Sequence, residues 1–290
     1  MTNSVKWSSH SRESGNQATL DPRLMISGMI LFALFFLFPA SLLASNNFSK
    51  DIVTKRSAPL AVPSQEIRLG EHLLYDVYWM GVYIGKGELW VKEKTTLEGR
   101  DCFHIVAVAE TNDFLTAIYP VHDEVHTWID AENFQSLQFQ KKVSEGRYRA
   151  EERVRYDASA GKGHYESLKN GSKKEFDVQP PVQDILSAFY WARRQIYSQG
   201  QSAHILVNSD EKDWDLSVQM LDRQTKEVRG SGEVDTLLLQ PKTMLKGVLE
   251  KRGEVWIHLK NDPARVPVMV TFKTPFGPIV GILKSDTERV

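Results

Sequence analysis

Beyond residue 67, apolar and polar positions alternate with a period of two over most of the chain. That period puts successive side chains on opposite faces of a strand, so the pattern predicts a sheet with one buried face. The run 70–92, GEHLLYDVYWMGVYIGKGELWVK, is the most patterned stretch. Its two aromatic-rich arms, 72–80 and 83–92, read as strands about a Gly81-Val82 turn. Gly85 and Gly87 inside the second arm predict a bulge or sharp bend, and a curling hairpin suits a barrel better than a flat sheet.

Further strands are expected over 102–111, 121–130 and 135–144, with 112–120 as a loop or short turn and 131–133 as a turn. In 121–130, Val121, Val125 and Ile129 share a face, with His122, Glu124, His126 and Trp128 opposite. Segment 145–157 reads as one strand. It places Arg147, Arg149, Glu151, Arg153 and Arg155 on one face and Tyr148, Ala150, Val154 and Tyr156 on the other, with Glu152 breaking the rule. A hairpin about Asn170-Gly171, a favoured turn dipeptide, joins 164–168 to 173–178.

Over 181–199 the period changes to that of a helix, with Val182, Ile185, Leu186, Phe189 and Ile196 along one stripe. Pro180-Pro181 opens it, Asp184 falls in its first turn, Arg193 and Arg194 lie near its end, and Gly200 stops it. Strands resume over 203–209, 214–221, 227–239, 243–250, 255–260, 266–274 and 279–284. About a dozen short strands predict a mainly β, antiparallel, barrel-like or strongly curved sheet with one amphipathic helix that plugs or flanks it. The body, 67–290, reads as a single domain.

Ahead of it, residues 24–44 form an uncharged apolar run after Arg23, followed by small residues around Ala44. This is the pattern of an export signal cleaved after Ala44, while its length of about 20 residues also suits a retained membrane anchor. Residues 1–45 are therefore taken as signal or anchor, with translation starting at Met1 or near Met25. Residues 46–66, polar and carrying Pro59 and Pro63, form a linker. The body is expected in the periplasm or envelope of a Gram-negative-type bacterium, touching membrane only through 24–44 if that run is kept.

Composition narrows the function. A formal charge of −1 lacks the basic footprint of a nucleic-acid binder. The single cysteine, Cys102, makes no intrachain disulfide and reads as a small buried hydrophobe. Nucleophile-elbow, zinc-protease and phosphate-loop motifs are absent from the sequence. His122, Glu124 and His126 lie on one strand face, but a polar outer face looks the same, so no metal and no cofactor is expected. Asp123 and Asp130 read as turn formers rather than an acid–base pair.

The quoted residues resemble an exported bacterial family catalogued as domain of unknown function 3108. The similarity is carried by Gly70-Glu71-x-Leu73-x-Tyr75-x-Val77-x-Trp79-x-Gly81-x-x-x-Gly85 and by Asp123-x-x-x-Thr127-x-x-Asp130. It continues in Asp184-x-x-Ser187-Ala188-x-Tyr190-x-x-Arg193 and in Trp256 with Asp262-x-x-Arg265-x-Pro267-Val268. The resemblance implies a β-rich exported body and brings no reaction or catalytic residues.

Two binding sites are expected. Aromatic residues Tyr75, Trp79, Tyr83, Tyr119 and Phe189 are candidates for the wall of a cavity holding a lipid or other amphipathic small molecule. Arg147, Arg149, Arg153 and Arg155 form a candidate anion site, because guanidinium forks suit phosphate. The function expected is non-enzymatic binding in a curved β body. An assembly factor working through envelope-protein contacts is the alternative, and an envelope hydrolase is a third reading.

Overall fold

A computed structural model describes residues 67–228, 232–243, 254–274 and 276–288. The N-terminal segments and most of the strand expected over 243–250 lie outside these residues. The described chain is mainly β. Before the helical segment run β1 (Glu71–Trp79), β2 (Val82–Leu97), β3 (Arg100–Thr111), β4 (His122–Asp130), β5 (Ser136–Glu145), β6 (Tyr148–Asp157), β7 (Lys162–Ser167) and β8 (Lys173–Asp177). After it follow β9 (Ser202–Ser209), β10 (Lys212–Val228), β11 (Gly232–Thr243), β12 (Glu254–Lys260), β13 (Pro267–Thr274) and β14 (Gly277–Glu288).

All fourteen lie in one sheet in the order β8-β7-β6-β5-β4-β3-β2-β1-β14-β13-β12-β11-β10-β9. Except between β8 and β9, each strand pairs antiparallel with its chain neighbour, and the first strand pairs with the last, Tyr75 opposite Leu283. The sheet curls without closing, leaving β8 and β9 as edges. Bulges sharpen the curl. One lies between Val77 and Tyr78 opposite Gly85 and Tyr83, at the predicted bend. A Cβ on Gly85 would sit 2.1 Å from the Glu110 carbonyl oxygen, so only glycine lets the two backbones approach there.

Inward positions of neighbouring strands form one core: Leu73, Tyr75 and Val77 of β1, Ile105, Ala107 and Ala109 of β3, Ile257 and Leu259 of β12, and Val268 and Val270 of β13. Each fully buried Leu or Ile contributes about 1.5–3 kcal/mol. No backbone ladder joins β8 to β9; side chains and a loop bridge the seam. Lys174 pairs with Glu211, the Tyr156 hydroxyl donates to Asn208 Oδ1 at 3.3 Å, and the Asn208 amide donates to the Gln183 carbonyl at 2.6 Å.

Several boundaries differ from expectation. Segment 145–157 is not one strand, because Gly146, at φ +53°, turns the chain between β5 and β6. β10 runs on to Val228 through polar residues that read as a turn; a long ribbon exposed on both faces carries no period-two signal. The loop 112–120 contains a four-residue helix, α1 (Asp113–Thr116), capped by Asn112.

The main helix is also shorter than predicted: α2 (Ile185–Arg193), nine residues. Residues 182 and 183 are used otherwise, since their carbonyls accept from Ser136 N at 3.0 Å and Asn208 N at 2.6 Å across the seam. Asp184 is the N-cap rather than a first-turn residue, and the run Leu186–Arg193 contains no β-branched residue to oppose a helix. Ile185, Leu186, Ser187, Ala188, Tyr190, Ala192 and Arg193 are all buried, so α2 is enclosed on nearly every side and not merely amphipathic.

Candidate functional site

Strand alternation gives the body two ends. The β2–β3, β4–β5 and β12–β13 turns lie at one, and the β1–β2, β3–β4, β5–β6 and β13–β14 turns at the other.

Helix α2 closes the first end. Asp184 caps it through the amides of Leu186 and Ser187, at 2.8 and 2.9 Å. Its other carboxylate oxygen accepts from the hydroxyls of Thr127 on β4 and Ser136 on β5. Burial pushes the Asp184 carboxyl up, against the pull of these four donors. At the far end of the helix, Arg193 grips Glu71 of β1 with two nitrogens, at 2.6 and 2.8 Å. Its remaining donors go to the carbonyls of Ala264 and Arg265 in the β12–β13 turn, at 3.0 and 3.2 Å. Burial works to raise the Glu71 carboxyl, but Arg193, with Arg68 and the Tyr190 hydroxyl, outweighs it and holds the group below its usual range. Arg194 lies over the Phe134 ring in the β4–β5 turn, 3.2 Å from its centroid. Glu71, Thr127, Asp184, Tyr190 and Arg193, all carried by the sequence resemblance, thus fasten one helix to one end of the sheet. Their polar atoms are satisfied by the fold.

The concave face of β4, β5 and β6 is different. Asp123, wholly buried on β4, accepts from Ser144 N at 2.7 Å through Oδ1. Its Oδ2 faces Glu145 and meets no donor among the described residues. Burial and the Glu145 charge push the Asp123 carboxyl up to about 8. Burial and mutual repulsion thus favour one shared proton on the Asp123–Glu145 pair over two ionised carboxylates. On the same face Lys141 pairs with Glu152 at 3.2 Å. Burial works to lower the Lys141 ammonium, and Glu152 outweighs it. The wall thus changes from apolar on β1–β3 to charged on β4–β6. Asp123 shares the parity of Val125, and Glu152 breaks the apolar face of β6; both signals are present in the sequence.

The predicted aromatic residues are spread along the body. Tyr75 is buried in the wall, its hydroxyl donating to the Pro267 carbonyl at 2.8 Å. Trp79, Tyr83 and Tyr119 lie at the end away from α2. Trp79 Nε1 donates to the Phe276 carbonyl at 3.1 Å, and the Tyr119 ring lies over Gly146. Phe189 is half-buried on α2.

The arginine row divides. Arg153 and Arg155 line an outer groove of about 300 Å³ with His164, Lys173, Glu166 and Glu175. Arg149 folds onto the carbonyls of Gly146 and Tyr148, and Arg147 lies in the turn. The outer histidines have local partners. His104 Nε2 and His126 Nδ1 are 2.9 Å apart and stack with Trp128, while His122 faces Glu110 at 3.2 Å. Among the described residues no cluster of three His, Cys, Asp or Glu is arranged to hold a metal ion. Cys102 is buried, and burial pushes its thiol up.

A family model described as "Protein of unknown function (DUF3108)" matches residues 74–284. No curated protein matches the chain. Among solved structures, the fold is similar to a β-barrel-like protein of the domain of unknown function DUF1849 from Brucella abortus. That likeness has 9% identity and a TM-score of 0.52, covering 77% of this chain and 99% of the other. A protein with a YmcC-like fold from Bacteroides fragilis aligns over 77% of this chain and 98% of its own at 8% identity. Its TM-score of 0.30 is too low to support an argument.

Proposed function

This chain belongs to the DUF3108 family, and from that premise we propose that it is a non-enzymatic exported envelope protein. It holds an apolar or amphipathic small molecule against the concave face of its sheet. The observation that carries this reading is the change of character along that face. Apolar and small residues on β1–β3 give way to Lys141–Glu152 and Asp123–Glu145 on β4–β6, inside a body closed at one end by α2. An amphipathic molecule that parts the core side chains at this boundary would meet apolar partners for its chain and polar partners for its head group. The binding reading is further supported by the saturation of Glu71, Asp184 and Arg193 with structural bonds, which leaves them no proton-transfer role. Export is supported by the apolar run 24–44.

Native protein would be extracted with organic solvent and the extract analysed by mass spectrometry, followed by titration of the stripped protein with a fluorescent fatty acid. A co-purified amphipath, and probe binding weakened by Lys141→Met, are expected. An empty protein that also binds no probe overturns the reading.

A further inference from the structure

Seven of the nine exposed large hydrophobic side chains among the described residues lie at the end away from α2. Met80, Val82, Phe114, Ile118, Tyr148 and Phe276 are between 48% and 73% exposed. They come from four different connections, which the backbone ties into one rim. Met80 N donates to the Pro278 carbonyl at 2.9 Å, Asn112 N to Ile84 O at 2.9 Å, and Gly146 N to Pro120 O at 2.7 Å. At the other end the β4–β5 and β12–β13 turns pack on α2.

Isolated exposed apolar residues are ordinary, but this many on one rim mark a contact surface. We propose that the rim docks on a phospholipid bilayer containing anionic lipid, its apolar tips entering the interface. The side chains stand on separate turn tips, which suits insertion among lipids better than a packed protein interface of standard size. Charge agrees with this. Arg147 and Arg149 at the β5–β6 turn and Lys169 at the β7–β8 turn make no ion pair among the described residues. The opposing charges are Asp113 on α1 and Asp210 in the β9–β10 turn, while Glu211 pairs with Lys174 and Lys86 is neutralised by Glu110. Tyr148 combines an apolar ring with a polar tip, the amphipathic form favoured at interfaces. The contact is additional to any made by the run 24–44, and it does not depend on the body carrying a ligand.

The test places an environment-sensitive fluorophore on the full chain at Ile118→Cys or, at the opposite end, at Glu132→Cys; native Cys102 is buried. Vesicles of phosphatidylcholine and phosphatidylglycerol are then added. The fluorophore at position 118 is expected to shift to the blue and be quenched by brominated lipid, while that at 132 is unchanged. Arg147→Glu with Arg149→Glu is expected to weaken the response at least tenfold. No response at 118 overturns the proposal, and so does an equal response at both ends. A shift at 118 that grows with protein concentration in the absence of vesicles means self-association and also overturns it. Because the readout is positional, binding through 24–44 leaves it interpretable.

Discussion

Glu71 on the first strand and Arg193 on the helix, 122 residues apart, form a buried pair joined by two hydrogen bonds. No other ion pair of the described residues is buried on both sides to the same degree. A pair in this setting offsets its own desolvation only while both members are present. Arg193→Met leaves the Glu71 charge buried and is expected to cost about 3–5 kcal/mol. Glu71→Gln together with Arg193→Met is expected to recover part of the loss. Urea unfolding of the single and double variants measures this, and a single-variant loss below about 1 kcal/mol would show that the pair does not hold the helix.

Asp123 gives a pH dependence of opposite sign to that of Glu71. Its folded-state carboxyl titrates near 8, above its ordinary 3.8, so between these values the folded chain holds a proton that the unfolded chain releases. Stability is therefore expected to fall as pH rises from about 4 to 8, by up to about 1.4 kcal/mol per pH unit. Asp123→Asn keeps an acceptor for Ser144 N and a donor for Glu145. It should flatten that slope and raise the melting temperature most at pH 8. An unchanged slope would place the proton elsewhere.

Asp184 does more than cap. Asp184→Ala removes the acceptor for two helix amides and strands the buried hydroxyls of Thr127 and Ser136. The loss should exceed the typical ~1 kcal/mol of an N-cap. Amide exchange checks the mechanism, with α2 and the start of β5 expected to lose protection together and β12–β13 to keep theirs.

Gly85 is expected to tolerate no side chain. Gly85→Ala puts a methyl against the Glu110 carbonyl, an atom of the backbone ladder that cannot swing aside. A cost of about 1–3 kcal/mol, the range for overpacking, should appear as a lowered urea midpoint.

Much of this architecture is legible in the sequence, because strands such as β1, β3 and β4 keep the period-two pattern that one buried face imposes. The Gly85 bend is visible for the same reason. Local patterning fails where a partner is distant. Nothing near residue 193 announces Glu71, so Arg193 reads as a dipole-facing terminal arginine. Nothing near Val182 announces Ser136 or Asn208, so the helix is predicted too long. The charged strip on β4–β6 leaves a trace in Asp123 and Glu152, each on an otherwise apolar face. Their meaning depends on Glu145 and Lys141, which a single strand's pattern does not bring into view. The rim is invisible to periodicity, since it is assembled from turns that have none.

The pairing of β1 with β14 has a consequence for how the molecule is made. Two runs of hairpins, β1–β8 and β9–β14, can each form from neighbouring strands as the chain emerges N-terminus first. Their union waits for β14, because, among the described residues, 277–288 supply the only ladder that joins the runs. Until then β1 presents an open edge, and Glu71 lies where the carbonyls of 264 and 265 and the arm of Arg193 have yet to meet. Residues 277–288 complete the sheet and the lock on the helix in one event. A chain stalled shortly before them would hold two half-sheets with an unpaired edge apiece, the form most open to capture by a chaperone.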